Sequence, residues 1–201
     1  RLQRLGKNHL YLIDLEEGEI HENQAASILA AALAGPGISW NDEPREGKIG
    51  LHAAVDGLLK VDTAALAAFN LVDEVMCATL HGNTLVSRGE LVAATRAIPL
   101  VMDRAPIERA AAIAAQNGGI LSVRPLQKVS AGLVITGSEV FNGLVEDRFA
   151  PILTAKVEAL GSTVAETVFA PDDTGSIRKA IRELIDSGCG LILLSGGMSV
   201  D

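Results

Sequence analysis

The sequence predicts an α/β protein in two parts, a mixed α+β region over residues 1–128 and a doubly wound parallel α/β domain over residues 129–201. The second part alternates short apolar runs with two long amphipathic segments, an order typical of a parallel sheet with helices on its faces. The first part mixes short strand-like runs with three helical segments. Aromatic residues make up only 3% of the chain, so the core must be mostly Ala, Leu, Ile and Val, which suit packed helices and parallel strands.

The N-terminal region is predicted to contain three helices, each ending near a glycine or asparagine. They span residues 22–34, 63–70 and 106–116. Short apolar runs predict strands at 11–15 and 98–102, and a hairpin that joins 75–80 to 84–86. Residues 40–50 are polar and glycine-rich, and no element is predicted there.

The C-terminal region is predicted to form three strands from short apolar runs, at residues 132–135, 163–168 and 190–194. The two segments between them have helical periodicity. The first helix is predicted over 145–160, with its apolar face formed by Phe149, Ile152, Leu153, Val157 and Leu160. The second helix is capped by Asp173 or Thr174 and ends at Gly188.

Three loops leave the carboxyl ends of these strands, and they are the most polar and glycine-rich stretches of the domain. They cover residues 136–143, 170–174 and 195–201. Right-handed crossovers bring such loops to one edge of a parallel sheet, where ligands bind in this class of fold. We therefore expect the ligand site at this edge.

The first two loops carry groups suited to a phosphorylated ligand. Hydroxyls and backbone N–H groups in Thr136-Gly137-Ser138-Glu139 would suit a terminal phosphate, although a strand followed by Thr-Gly is by itself often only a tight turn. In the second loop, one of the adjacent carboxylates Asp172 and Asp173 is expected to cap the next helix. Two carboxylates at such an edge can also hold Mg²⁺, which takes one or two of them together with phosphate oxygens.

The third loop reads Ser195-Gly196-Gly197-Met198-Ser199-Val200-Asp201 and follows a buried strand. Paired glycines lack side chains, so a flat or phosphorylated ligand can approach the backbone. A tight turn accounts for the two glycines but not for the serines and the aspartate around them.

These motifs occur in a defined order, and together they resemble one known domain. They are Ile135-Thr136-Gly137-Ser138-Glu139, Gly143 with Asp147, Pro171-Asp172-Asp173, and residues 195–201. The set resembles the molybdenum-cofactor biosynthesis, or molybdopterin-binding, domain and is closest to the molybdopterin molybdotransferase branch, whose glycine loop reads Gly-Gly-x-Ser-Val. The resemblance covers residues 129–201, and residues 1–128 resemble the leading region of a protein of the same group.

The resemblance implies a protein that handles molybdopterin, a pterin with a dithiolene and a terminal phosphate. The implied reaction inserts the substrate molybdate into adenylylated molybdopterin with Mg²⁺ present, and the protein supplies positioning and charge. The residues implied to bind molybdopterin are Thr136, Gly137, Ser138, Glu139, Ser195, Gly196, Gly197 and Ser199. Asp172 and Asp173 are implied as the catalytic and metal-binding residues, and the family implies a homo-oligomer.

Two departures from the family pattern bear on catalysis. Ser138 stands where the molybdotransferases commonly have an acidic residue, and Asp201 follows Val200 where a glycine often stands. One alternative is therefore a non-catalytic molybdopterin carrier or sensor. Another is an enzyme of the competence-damage-inducible family, which shares this domain and acts on nucleotide-type substrates. The Gly-Gly-Met-Ser-Val loop favours the molybdotransferase branch.

Composition argues against several other classes of protein. A net charge of −8 disfavours nucleic acid as a partner, and no apolar run reaches the roughly 18 residues that predict a membrane span. Cys77 and Cys189 have no metal-ligand spacing and are predicted to be buried, reduced thiols, which fits a reducing cytoplasm. The histidines also lack metal-ligand spacing, and His21 is predicted to lie beside a helix cap. The end at Asp201, directly after a glycine turn, predicts a domain that is incomplete on its C-terminal side.

Overall fold

A computed structural model of the chain describes residues 14–196. Over these residues the chain forms two compact units, which are divided between Pro125 and Leu126. The sequence predicts a boundary between residues 128 and 129. No helix within the described span combines the length and apolar character that crossing a membrane requires.

The N-terminal unit combines three helices with nine short strands over its described residues. The helices are α1 (Glu22–Leu33), α2 (Thr63–Asn70) and α3 (Arg104–Ala115). The strands are β1 (Glu19–His21), β2 (Ile38–Trp40), β3 (Lys48–Ala53), β4 (Gly57–Val61), β5 (Val75–Thr79), β6 (Leu85–Val86), β7 (Leu91–Ala97), β8 (Val101–Asp103) and β9 (Leu121–Arg124). They pair antiparallel in three sheets of order β1-β8, β2-β3-β7-β5 and β6-β4-β9.

All three predicted N-terminal helices are present, and two of them begin at side-chain caps. The carboxylate of Asp62 accepts a hydrogen bond from the N–H of Ala65 (2.9 Å), and Nδ1 of His21 accepts one from the N–H of Asn23 (3.2 Å). These caps satisfy N–H groups that have no partner inside the helix. The helices and sheets enclose one apolar core, whose large fully buried members include Leu29, Leu51 and Phe69.

The predicted hairpin between 75–80 and 84–86 is wrong in its pairing. Both segments contain strands, but β5 pairs with β7 and β6 pairs with β4. Alternating apolar residues determine which side chains enter the core and carry no information on which neighbouring strand supplies the hydrogen bonds. Both Val75 and Val86 are buried in the same core although they belong to different sheets.

Three further N-terminal predictions need correction. The strand predicted at 98–102 is displaced, because β7 ends at Ala97 and β8 begins at Val101, with Pro99 lacking the N–H that a ladder needs. The polar segment 40–50 contains the start of β3, whose period-two burial was obscured by Gly50. Asp14 and Leu15 are not in a strand, and the rest of the predicted strand 11–15 lies outside the described residues.

The side chain of Asn70 stabilises β5, an edge strand of the four-stranded sheet, through two hydrogen bonds. Its side-chain oxygen accepts a hydrogen bond from the N–H of Cys77 (2.8 Å), and its amide nitrogen donates to the carbonyl of Cys77 (2.9 Å). We expect Asn70→Ala to lower the free energy of unfolding by about 1–3 kcal/mol, because the N–H and the carbonyl of Cys77 lose their hydrogen-bond partner. Urea unfolding measures this loss, and Asn117→Ala in an exposed turn is the control, with an expected change within about 0.5 kcal/mol. Equal losses of stability in Asn70→Ala and Asn117→Ala would contradict the stabilising role of the Asn70 side chain.

The C-terminal unit is a parallel α/β layer structure. Its elements are β10 (Ser130–Thr136), α4 (Ser138–Phe141), α5 (Phe149–Ala159), β11 (Thr163–Ala170), α6 (Thr174–Asp186) and β12 (Leu191–Ser195). The sheet order is β11-β10-β12, and both pairings are parallel, which confirms the predicted three-strand core. Because all three strands run in the same direction, the loops that follow them reach one sheet edge.

Helix α6 packs tightly on the sheet. A Cβ atom at Gly132 would lie 2.7 Å from the Leu184 side chain, so this close approach requires glycine in the middle of β10. Val134 lies on the same face of β10 and packs with Ala180 and Leu184 of the helix. The alternate residues Leu133 and Ile135 are also buried, so both faces of the central strand are covered.

The helix predicted over 145–160 begins four residues later, at Phe149. Asp147 stops it from starting earlier, since its carboxylate accepts hydrogen bonds from the N–H groups of Phe149 (2.8 Å) and Ala150 (3.2 Å). The single apolar face predicted for this helix is also wrong. Val157 is buried, whereas Phe149 and Ile152 are 51% and 54% exposed.

Candidate functional site

The carboxyl ends of β10 and β12, the loops that follow β11 and β12, and the first turn of α6 line an open cavity of about 320 Å³ at the predicted sheet edge. The lining residues are Thr136, Asp172, Ile177, Leu194, Ser195 and Gly196. Each loop contributes at least one polar or glycine residue that the sequence predicts for the site. Ile177 and Leu194 were not predicted as site residues, because their apolar side chains occupy positions that the sequence pattern assigns to the core.

Gly196 allows the third loop to approach the end of β10. It has a φ of +150°, and a Cβ atom there would overlap the hydroxyl oxygen of Thr136 and lie 2.8 Å from both the Thr136 Cβ and carbonyl oxygen. No other residue type fits this position without displacing β10 or the loop. The β10–β12 ladder pairs Ser195 with Ile135, and the glycine lets the backbone after Ser195 continue beside Thr136.

Ser195 supplies an unpartnered polar group to the cavity. Its hydroxyl oxygen is buried and has no hydrogen-bond partner among the described residues. A buried hydroxyl without a partner is costly, and a ligand atom that hydrogen-bonds to it would recover that cost. The Ser195 hydroxyl and the glycine beside it fit a polar, phosphorylated ligand, whereas the Asp172 carboxylate fits a cation bound together with that ligand.

Asp172 lines the cavity and also holds the first loop. Its carboxylate accepts a hydrogen bond from the N–H of Ser138 at 3.1 Å. The sequence predicts that N–H groups of this loop bind phosphate, whereas one of them here binds the protein's own carboxylate. An incoming anion would compete with Asp172 for the Ser138 N–H.

Asp173 has a different role from its neighbour. It is the N-cap of α6, and its carboxylate accepts a hydrogen bond from the N–H of Ser176 at 2.9 Å. It does not line the cavity. Hydrogen bonds from the side chain and then the backbone of Ser176 hold the pKa of Asp173 below its ordinary value of 3.8. The sequence expectation that one aspartate caps the helix is confirmed for Asp173.

The cap gives a pH-dependent contribution to stability with a defined sign. Because the folded-state pKa of Asp173 is lowered, its contribution is complete above pH 3.8 and is lost as the pH falls through the lower folded value. We expect Asp173→Asn to retain the cap, since asparagine caps as well as aspartate, and to lack this part of the acid sensitivity. Thermal unfolding of both proteins between about pH 2 and pH 6 measures the difference. If the stabilities of the wild type and Asp173→Asn change with pH in the same way, the Asp173 carboxylate does not make this contribution.

The remaining predicted site residues are only partly brought to the cavity. Gly137 adopts a φ of +140° and donates its N–H to the carbonyl of Ala170 (3.2 Å), so it shapes the turn after β10. Ser138 and Glu139 begin α4 and do not line the cavity. Gly197 and Ser199 lie outside the described residues.

Other metal or nucleophile sites find no support within residues 14–196. No group of three or more His, Cys, Asp and Glu side chains in this span could hold a metal ion. Burial raises the pKa of the Cys77 thiol to about 12, so this cysteine stays protonated. Cys189 is only partly buried, which corrects the prediction that both thiols are buried.

The C-terminal unit matches a known domain family. Residues 132–201 match the family model described as a probable molybdopterin binding domain, which confirms the resemblance predicted from the loop motifs. The CinA-like proteins of Mycobacterium tuberculosis (strain ATCC 25177 / H37Ra) and Mycobacterium leprae (strain TN) are 37% and 35% identical over 68 residues. Each match covers 34% of this chain and only 16% of the relative.

Similarity to solved structures is weak. The molybdopterin biosynthesis moeA protein from Pyrococcus horikoshii OT3 is 13% identical over 90% of this chain and 67% of that chain, with a TM-score of 0.29. A score at this level supports no conclusion about the arrangement or the activity of this protein.

Proposed function

We propose that the C-terminal unit binds molybdopterin in the cavity at the ends of β10, β11 and β12, and that the protein inserts molybdate into adenylylated molybdopterin. The observation that carries the proposal is the buried hydroxyl of Ser195, which has no hydrogen-bond partner within residues 14–196 and lies in a cavity with Thr136 and Asp172, within the segment that matches the molybdopterin-binding family. A ligand with hydrogen-bonding oxygens satisfies that hydroxyl.

The phosphate of molybdopterin would be held mainly by neutral donors. The hydroxyls of Thr136 and Ser195 line the cavity, and Gly196 keeps the backbone close to the ligand. Neutral donors can hold an anion inside an acidic protein because they add no charge that must be desolvated. Gly197 and Ser199 extend the same glycine loop and are proposed to complete this pocket.

Asp172 is the residue that would hold Mg²⁺ or orient molybdate. It lines the cavity, whereas Asp173 is used as the cap of α6. Mg²⁺ is commonly bound through one or two carboxylates together with substrate phosphate oxygens, so a single protein carboxylate is sufficient. The metal would neutralise charge on the ligand oxygens, and the protein's own part is to position that ligand.

Two other functions use the same cavity. A non-catalytic molybdopterin carrier or sensor is favoured by Ser138, because its neutral side chain leaves the site with fewer carboxylates. A nucleotide-acting enzyme of the competence-damage-inducible type is favoured by the sequence identity to CinA-like proteins. We place the protein in the reducing cytoplasm and expect a homo-oligomer.

Ligand binding by the 201-residue chain separates these functions. We expect molybdopterin to bind, and Ser195→Ala to weaken it about fivefold to tenfold, since one buried hydrogen bond is lost. The matched control is Ser187→Ala at the C-cap of α6, which should bind as the wild type does. Titration with molybdopterin and with AMP, followed by calorimetry, measures both affinities. Tight binding of AMP without binding of molybdopterin would favour the nucleotide-acting alternative and contradict the proposal.

A further inference from the structure

We propose that a second cavity of the C-terminal unit, along the edge strand β11, receives the pterin ring, an inference that rests on the proposed molybdopterin binding. The cavity measures about 230 Å³. Its lining includes Phe141, Phe169, Pro171, Ser176, Lys179 and Glu183. Strand β11 lies at one end of the described three-stranded sheet, so no neighbouring strand in that sheet covers the groove.

Two half-exposed phenylalanine rings are the first reason for this proposal. The chain contains only four phenylalanines, and Phe69 is fully buried, whereas Phe141 and Phe169 are 51% and 41% exposed in the same groove. A flat heterocycle that stacks on these rings removes their apolar faces from water and adds a favourable stacking contact. A fully hydrated anion would gain little from such rings.

Helix α6 carries polar side chains that can hydrogen-bond to the edge of a pterin ring. The ring has an amino group and a ring N–H that donate hydrogen bonds, and a carbonyl that accepts them. The Glu183 carboxylate can accept from the former, and the Lys179 ammonium can donate to the latter. Lys179 and Glu183 are 3.7 Å apart and well exposed, so their mutual contact is weak and does not prevent either group from turning to a ligand.

The two cavities are adjacent along the chain. Pro171 lines the aromatic groove, and the next residue, Asp172, lines the cavity that contains Ser195. A ligand with a flat ring at one end and a phosphate at the other would span the two cavities across this loop. This arrangement assigns the ring to Phe141 and Phe169 and the phosphate to Thr136 and Ser195.

The test compares three phenylalanine variants of the 201-residue chain. Phe141→Leu and Phe169→Leu remove rings from the groove, and the matched control Phe149→Leu removes a ring that is similarly exposed, at 51%, but lines a different cavity. Fluorescence titration with pterin, 2-amino-4-oxopteridine, is expected to show about a fivefold or greater loss of affinity for the first two variants and no change for the third. Inorganic phosphate should bind all four proteins equally. Glu183→Gln, on the exposed face of α6, is expected to weaken pterin binding and to leave phosphate binding unchanged.

The outcomes distinguish this inference from the function on which it rests. If the wild type binds molybdopterin and the two groove variants bind pterin as tightly as the wild type, the ring lies elsewhere and the inference is overturned alone. Equal losses in Phe149→Leu overturn it as well, because the effect would not be specific to the groove. If the wild type binds no molybdopterin, both the proposed function and the inference fail.

Discussion

Gly196→Ala is expected to abolish molybdopterin binding, with an affinity loss of at least about 100-fold. The added Cβ would overlap the Thr136 hydroxyl and lie 2.8 Å from the Thr136 carbonyl oxygen, so the third loop must move away from β10. That movement displaces the backbone that follows Ser195, which the strand ladder holds beside Ile135, and so disrupts the wall of the cavity that the Thr136 and Ser195 hydroxyls line. Calorimetric titration of molybdopterin into both proteins measures the loss.

Gly188→Ala is the matched control for backbone strain. Gly188 also has a positive φ, of +84°, but a Cβ atom there meets no atom within 4 Å. Its substitution is expected to cost about 1 kcal/mol of stability, since alanine tolerates this backbone conformation poorly, and to leave ligand affinity unchanged. If Gly196→Ala binds as tightly as Gly188→Ala, the close approach to Thr136 is not required for the site.

Asp172→Asn is expected to lower Mg²⁺-dependent molybdate insertion by about 100-fold or more, because a bound metal contributes several kcal/mol to such reactions. Pterin affinity should change far less, since asparagine retains the shape and the oxygen that accepts from the Ser138 N–H. Product formation at saturating adenylylated molybdopterin and molybdate, with Mg²⁺ varied, measures the effect.

Asp173→Asn is the control at the neighbouring position. It retains the cap of α6 and removes a carboxylate that lies outside the cavity, so turnover should stay close to that of the wild type. The opposite ranking, with Asp173→Asn inactive and Asp172→Asn active, would exchange the two roles. Wild-type turnover in both variants would remove carboxylates from the mechanism.

The sequence predicts the parallel C-terminal core well because the spacing of apolar residues within each segment is enough to predict its secondary structure. The apolar positions of α6 follow the helical period over the whole element, and β10 and β12 contain the continuous apolar runs 133–135 and 191–194. Strand β11 is rich in β-branched and aromatic residues, which favour strands, although its burial does not alternate strictly. Because parallel strands place their carboxyl ends at one edge of the sheet, the three loops are expected there once the strands are predicted to be parallel.

Strand pairing in the N-terminal unit could not be predicted in the same way. The choice of β7 and β4 as partners of β5 and β6 depends on contacts between residues distant in sequence. The start of α5 was missed because the capping carboxylate, Asp147, precedes the helix by two residues and resembles an ordinary loop aspartate. Both errors arise from hydrogen bonds that apolar periodicity does not encode.

Within the site, the type of a residue predicted what it can bind. It did not predict which of two similar residues lines the cavity. The sequence treats Asp172 and Asp173 as equivalent candidates for the metal, and only the geometry separates the residue that lines the cavity from the residue that caps α6. The groove at Phe141 and Phe169 had no sequence signal, because isolated aromatics beside apolar positions are normally interpreted as core residues.

Native mass spectrometry of the purified 201-residue chain, reconstituted with molybdopterin, decides whether the cavity beside Thr136 and Ser195 binds this ligand. We expect a mass increase equal to one molybdopterin per chain for the wild type and for Gly188→Ala, and none for Gly196→Ala. Absence of the increase in the wild type at saturating molybdopterin, or an equal increase in Gly196→Ala, would contradict binding at this cavity.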